Sequence, residues 1–280
     1  MLKRLAVLGH PVAHSRSPAM QTAALEALGL AGEWSYEAID IPPEEFAGGV
    51  KGLPGEGFVG ANVTIPHKEA ALALATSATD AANEIGAANT LSFSEGGIHA
   101  ANTDAPGLVA ALPRAASGTS ALVLGAGGSA RAVAWALVRE GAEVQVWNRT
   151  AERVDELVRD LANGFAGGDP DDLPKLAPVS HDQAWAGAHG LIVNCTAVGM
   201  DDEDPFEQLP IDPERLHEDV VLVDLVYGGG ETRLVGEARA RGATAVDGLE
   251  VLVRQGAESL RIWTGAEPPL DVMRKAARDG

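Results

Sequence analysis

Residues 122–133 read LVLGAGGSARAV, and no other stretch limits the fold so tightly. An apolar strand pattern runs into three glycines, Gly125, Gly127 and Gly128, and then into a helical pattern. Glycine lets the backbone approach a ligand, and the following helix presents free N–H groups and partial positive charge at its start. That arrangement suits a pyrophosphate and predicts dinucleotide binding by Gly125, Ala126, Gly127, Gly128, Ser129 and Ala130. Ala130 stands where the fingerprint allows alanine for its third glycine. A purely structural turn is the competing reading.

The surrounding pattern predicts an α/β fold. Residues 121–124 and 143–147 read as strands with a helix at 129–139 between them, and 191–195 and 220–226 read as strands buried on both faces. Strands alternating with helices predict a doubly wound parallel sheet of the Rossmann type. Upstream, strands are expected at 5–8, 35–39 and 58–63, and a hairpin of 87–93 and 98–100 around Gly96-Gly97. Helices are expected at 17–28, with Ser17 as N-cap and Pro18 at the first helical position, at 67–75 and at 104–112. The run PRAASGTS from Pro113 reads as a connection between domains, and 163–178 and 201–205 read as surface loops. Helices at 251–263 and 272–278 close the chain.

The strand at 143–147 leads into VWNRTAER. An NAD site carries an acid near this point to bind the ribose 2′-OH, but here Asn148 and Arg149 stand there, with Arg153 four residues on. Two guanidinium groups can clamp a 2′-phosphate that a carboxylate would repel, so NADP is the expected cofactor. Exposed arginines at a helix start are the plainer alternative.

Composition narrows the classes further. The 280 residues carry a formal charge of −19 with only 21 Lys and Arg, which argues against a nucleic-acid binder. A local pocket can still hold an anionic small molecule. Cys195 is the one cysteine, so no internal disulfide is possible. The apolar run after Lys3 and Arg4 is too short for a signal peptide core, and no stretch reaches 18 apolar residues, so the expectation is a cytoplasmic protein without a membrane span.

Four polar runs stand beside strand-like segments in the first 107 residues. HSRSP sets Ser15 and Ser17 in a turn where two hydroxyls and a helix start can bind a carboxylate. GANVTIPHKEA carries Asn62, Thr64, His67 and Lys68. Lys68 falls near a helix start, where positive charge is disfavoured and proton exchange is a natural use. His67 lacks any metal-like spacing and reads as structural. GAANTL carries Asn89, and AANTDAPG carries Asn102 and Asp104, residue types that also cap helices and close turns. Asp104 beside Lys68 would complete a proton-handling pair.

Together these runs resemble the shikimate dehydrogenase family. HSRSP, NVTIPHK, GAANT, NTD, GAGGSARA, NRT-x-x-R and Gln255-Gly256-Ala257 occur in that family's order and at its approximate spacings across essentially the whole chain. The resemblance implies a substrate domain over 1–104 completed by helices at 252–280, an NADP-binding Rossmann domain over 105–251, and an active site between domains. It implies that Lys68 and Asp104 are catalytic, that Ser15 and Ser17 bind the substrate carboxylate, and that Thr64, Asn89 and Gln255 hold ring hydroxyls with Tyr227 nearby. Gly125 to Ala130 would bind pyrophosphate. Asn148, Arg149, Thr150 and Arg153 would hold the 2′-phosphate end of NADP, and Asp80, Leu225 and Gly248 would border the cofactor.

The implied reaction is NADPH-dependent reduction of 3-dehydroshikimate to shikimate, in a monomer or homodimer with no metal. Two departures stand out: glycines at 228–230 follow Tyr227 where the family often has a proline, and Val251 stands where many relatives have a methionine. The rivals are a quinate/shikimate dehydrogenase using NAD, which should carry an acid near Asn148, and a non-catalytic NADP sensor, which would not need Lys68 and Asp104.

Overall fold

The computed structural model describes residues 2–165, 175–200, 204–228 and 230–280. The chain divides into two compact units, Met1–Gly107 with Leu252–Gly280, and Leu108–Val251. The divisions fall within two helices, so PRAASGTS lies inside the second unit and is not the link between units.

The first unit contains β1 (Lys3–Gly9), α1 (Ser17–Ala27), β2 (Trp34–Asp40), α2 (Phe46–Gly52), β3 (Phe58–Val63), α3 (Lys68–Leu74), β4 (Ser77–Ala78), α4 (Asp80–Ile85), β5 (Thr90–Ser94), β6 (Gly97–Ala101) and the start of α5 (Asp104–Ala111). Its sheet has the order β2-β1-β3-β5-β6-β4. β1 runs parallel to β2 and β3, whereas β5 is antiparallel to both β3 and β6. That mixture puts the ends of β1, β2, β3 and β6 and the beginning of β5 at one edge.

Alternation along the strands explains the packing. Ala6, Leu8, Ala61 and Val63 face a core shared with Phe46, Val50 and Leu91. Leu5 and Val7 are also buried, on the side where α1 packs with Met20, Ala24 and Leu25.

The second unit contains β7 (Ser120–Leu124), α6 (Gly128–Arg139), β8 (Glu143–Trp147), α7 (Ala151–Phe165), β9 (Leu176–Pro178), α8 (His181–Ala186), β10 (Leu191–Asn194), α9 (Pro205–Gln208), β11 (Val221–Asp224), α10 (Arg233–Ala240) and β12 (Thr244–Val246). The sheet order is β12-β11-β10-β7-β8-β9, and every pair is parallel. Ala121, Val123, Leu191, Val193, Val221 and Val223 face α6 and α7, while Leu122, Leu124, Ile192 and Leu222 face α8 and α10. The central strands β7, β10 and β11 are therefore apolar apart from Ser120, Asn194 and Asp224 at their ends, as a sheet covered by helices on both sides requires. The order reverses between β7 and β10, the switch point where such sheets bind ligands. The chain ends in α11 (Gly248–Thr264) and α12 (Leu270–Asp279). Among the described residues no helix is long and apolar enough to cross a membrane.

Several expectations need correction. Ser17 is the first residue of α1, not its cap. Arg16 occupies the cap position without a side-chain bond, and Ser15 Oγ accepts the Ser17 N–H at 3.3 Å. Residues 87–89 precede the strand, which starts at Thr90. The expected loop at 163–178 contains the end of α7 and all of β9, with 166–174 outside the described residues. In the loop expected at 201–205, residues 201–203 also lie outside them, and Pro205 begins α9. Of the three glycines after Tyr227, the middle one, residue 229, lies outside them as well.

Candidate active site

The first unit gathers its polar runs at one sheet edge because strand pairing leaves them no other place. Thr64 N–H donates to Leu8 O at 2.8 Å, Val63 N–H to Asn89 O at 2.8 Å, and Asn89 N–H to Ala101 O at 3.2 Å. The segments after β1, β3 and β6 and the residue before β5 thus meet.

Lys68 opens α3 and is buried to 9% exposure, and its Nζ lies 2.6 Å from Asp104 Oδ2. The other Asp104 oxygen accepts from Asn89 Nδ2 at 2.8 Å. Asn89 Nδ2 also lies 2.9 Å from Thr103 Oγ1 and 3.0 Å from Gln255 Oε1. Its own Oδ1 accepts the Thr103 N–H at 2.7 Å, which fixes the direction of the amide. Lys68, Asp104, Asn89 and Gln255 therefore form one hydrogen-bonded constellation, built from α3, α5, the start of β5 and α11.

A second layer holds the first. Asn62 Nδ2 donates to Ser259 Oγ at 2.8 Å, and the Tyr36 hydroxyl donates to Asn62 Oδ1 at 2.8 Å. Ser259 Oγ lies 2.9 Å from Thr90 Oγ1 and 3.1 Å from Thr103 Oγ1. All these groups are buried, so each bond also removes the cost of an unpaired polar atom. Gly107 makes the close approach of α5 and α11 possible: a Cβ there would stand 2.7 Å from Gln255 Cβ and backbone N. The individual sequence runs carry no signal for Ser259 or Gly107, because their partners lie on distant segments.

Ser15, Ser17 and Thr64 stand at the same edge through a separate set of bonds. Ser17 is buried, while Ser15 and Thr64 are half-buried. Asp80 is exposed at the start of α4, where Thr79 caps the helix by accepting the Ala82 N–H.

In the second unit the glycine turn sits between β7 and α6, at the switch point. Gly125 has φ +111°, a left-handed value that only glycine adopts readily, and a Cβ there would come within 3.2 Å of the Cys195 carbonyl. Gly127 occupies the cap position of α6 without a side-chain acceptor, and a Cβ there would meet nothing within 4 Å. The cap residue of α6 therefore brings no side chain of its own over the start of the helix, which suits a pyrophosphate. Ala126 and Ser129 are half-buried around the turn, and Ala130 is fully buried against the sheet.

Arg149 and Arg153 are exposed between β8 and α7, and Asn148 Nδ2 donates to Thr150 O at 3.1 Å. This donor set, backbone amides at one end and guanidinium groups at the other, fits NADP. Leu225 and Tyr227 follow β11 and are half-buried. Gly248 lies against that segment: its Cβ would stand 2.6 Å from Leu225 O.

Asp224, at the end of β11, is a buried carboxylate to which no sequence motif points. It accepts from Thr232 Oγ1 at 2.6 Å, Asn194 Nδ2 at 2.9 Å and Val226 N–H at 3.1 Å. Burial pushes its pKa up, against the pull of these three bonds.

Comparison with known proteins identifies the family. Residues 7–91 match the shikimate dehydrogenase substrate binding domain, 109–176 the shikimate/quinate 5-dehydrogenase domain, and 248–278 the shikimate 5′-dehydrogenase C-terminal domain. The NADP(+) shikimate dehydrogenase of Methanopyrus kandleri is 42% identical over 287 residues, covering 96% of this chain and 93% of the relative. The chain belongs to the shikimate dehydrogenase family. The corresponding enzyme of Methylobacterium radiotolerans is 46% identical over 95% of this chain and 92% of its own length. Among solved structures, shikimate 5-dehydrogenase from Thermus thermophilus in complex with NADP(H) and shikimate superposes with a TM-score of 0.83 at 43% identity, over 100% of this chain and 99% of that one. Family membership makes the chain an oxidoreductase of the α/β two-domain class.

Proposed function

We propose that this member of the shikimate dehydrogenase family reduces 3-dehydroshikimate to shikimate, reversibly, with NADPH. The observation that carries the reading is the Lys68 Nζ–Asp104 Oδ2 contact of 2.6 Å, joined through Asn89 to Gln255, on a chain that also carries a glycine turn and two arginines fitted to NADP.

The bound cofactor supplies the hydride. Lys68 Nζ gives its proton to the oxygen that gains negative charge as the carbonyl becomes an alcohol, and takes the proton back in the reverse direction. Asp104 holds the ammonium group by accepting its hydrogen bond, while its second oxygen is held by Asn89. Gln255 and Thr64 orient ring hydroxyls, and Ser15 and Ser17 bind the substrate carboxylate, with Tyr227 nearby. Gly125 to Ala130 carry the pyrophosphate, and Asn148, Arg149, Thr150 and Arg153 the 2′-phosphate end. Asp80, Leu225 and Gly248 border the rest of the cofactor.

The substrate domain corresponds to 1–104 with 252–280, and the cofactor domain to 105–251. The protein works in the cytoplasm as a monomer or homodimer. The deciding assay follows NADPH consumption by purified protein with 3-dehydroshikimate, against 3-dehydroquinate and against NADH. Rapid turnover with the first pair supports the reading. NADPH binding without 3-dehydroshikimate-dependent turnover would leave a cofactor sensor, and preference for NADH would favour a quinate/shikimate enzyme.

A further inference from the structure

β2 ends in Asp40, which pairs in register with Gly9 at the end of β1. The chain after β1 then runs through residues 10–16 into α1, the turn that carries the two serines. Asp40 reaches across to this turn with both oxygens. Oδ1 lies 2.6 Å from His10 Nδ1, and Oδ2 accepts the Val12 N–H at 3.1 Å. Beside it, Ile41 N–H donates to Gly9 O at 3.0 Å.

The series continues to the serines: Val12 O accepts the Ser15 N–H at 3.0 Å, and Ser15 Oγ accepts the Ser17 N–H at 3.3 Å. An exposed His–Asp pair by itself contributes little to a fold. Here one oxygen is spent on a backbone N–H, so the carboxylate fixes chain conformation and not merely a charge contact. The His10 hydrogen bond holds the Asp40 carboxyl below its ordinary value, with the Val12 N–H and the nearby His67 acting in the same direction and partial burial opposing them.

The next residue ties down the other half of the site. Ile41 O lies 2.7 Å from His67 Nε2. His67 is buried, stacks on Phe46 with ring centroids 4.2 Å apart, and occupies the cap position of α3, whose first residue is Lys68. Two adjacent residues at the end of one strand thus hold the serine turn and the start of the lysine helix in one frame.

We propose that Asp40 is a positioning residue for substrate: it fixes the turn that presents Ser15 and Ser17 to the substrate carboxylate, while the Ile41 carbonyl, through His67, keeps Lys68 in step with that turn. The inference rests on the substrate-binding role proposed above for the two serines.

The test uses the full-length protein with four variants, Asp40→Ala, His10→Ala, Ser17→Ala and the double variant Asp40→Ala/Ser17→Ala. Steady-state kinetics with shikimate and NADP+ are read alongside the shikimate dissociation constant from calorimetry. Asp40→Ala should raise the shikimate KM and dissociation constant about tenfold, the scale of lost charge-assisted hydrogen bonds, with the NADP+ KM unchanged. His10→Ala, at an exposed position, should act in the same direction by less, and it serves if Asp40→Ala does not fold. The double variant should bind little worse than the poorer single, because both changes break one series of contacts.

Unchanged shikimate binding in Asp40→Ala, or in His10→Ala where that variant stands in, overturns the proposal. So does a double variant whose losses multiply. Unchanged binding in Ser17→Ala removes the serine pair as recipient and the proposal with it. Wild-type protein with no shikimate-dependent turnover and no shikimate binding refutes the proposed function itself, a result distinct from any of these.

Discussion

The polar constellation of the first unit and the glycine turn of the second solve opposite problems. Around Lys68 nearly every functional atom is held by another side chain: Asp104 by Lys68 and Asn89, Asn89 by Thr103 and Gln255, Thr103 by Thr90 and Ser259, and Ser259 in turn by Asn62. Around Gly125 the site is made from backbone and from missing side chains, with two exposed arginines at its edge. A buried network is rigid before its ligand arrives and fails as a unit. A backbone cradle with surface cations is open, and each of its contacts can be lost separately.

The largest expected effect breaks the first arrangement at its centre. Lys68→Ala should lower kcat by about 10²–10⁴-fold, the usual range for a lost general acid, while the NADPH dissociation constant measured by fluorescence stays as it was. A variant with near wild-type turnover would remove Lys68 from the chemistry. Asn89→Ala should next show that the network is also structural. It strands the buried Thr103 N–H and frees one Asp104 oxygen, so unfolding in urea should report a loss of about 2–4 kcal/mol together with weaker turnover.

Changes in the second unit should be smaller and separable. Gly125→Ala forces a side chain into a left-handed conformation beside the Cys195 carbonyl, and about tenfold weaker NADPH binding is expected with shikimate binding unaltered. Arg149→Ala and Arg153→Ala should each raise the NADPH KM by about three- to tenfold and leave NADH unchanged, since only the 2′-phosphate is lost to them. Equal effects on both cofactors would argue that the arginines serve the turn rather than the phosphate.

The smallest effect is one of pH. Burial lowers the pKa of His189 from 6.5, so between that value and its folded pKa the unfolded chain binds a proton the folded one refuses. Its contribution is therefore intact above about pH 6.5 and is lost as pH falls below it. Melting curves from pH 7.5 to 5 should show a shallower acid decline in His189→Gln than in the parent, and identical declines would contradict that sign.

The two regions also differ in how far they are legible in the sequence. The parts of the glycine turn are local: strand, Gly125, Gly127 and helix follow one another within a dozen residues, and each meaning depends on its neighbours in sequence. Ser17 has the look of a cap but is not one, because Ser15, two residues earlier, bonds the Ser17 N–H and the helix begins at Ser17 itself. Lys68 and Asp104 can be named as a pair, yet nothing local requires residues 36 apart to touch. Asn62 and Ser259 are separated by 197 positions, and their contact follows only from β3 and α11 coming side by side in the fold.

The sequence by itself determined the alternation of strands and helices, the parallel sheet of the second unit, the cofactor expected there and the family the chain resembles, because hydrophobic period, turn chemistry and charge act over short range. Only the tertiary structure decided which polar atoms are paired. Antiparallel β5 brings Asn89 beside the end of β3, Gly107 lets α11 approach close enough for Gln255 to join, and Asp40 can grip Val12 only because β2 lies beside β1. Hydrogen bonds are decided over about 3 Å, and strand pairing and helix packing, not adjacency in the chain, set distances on that scale.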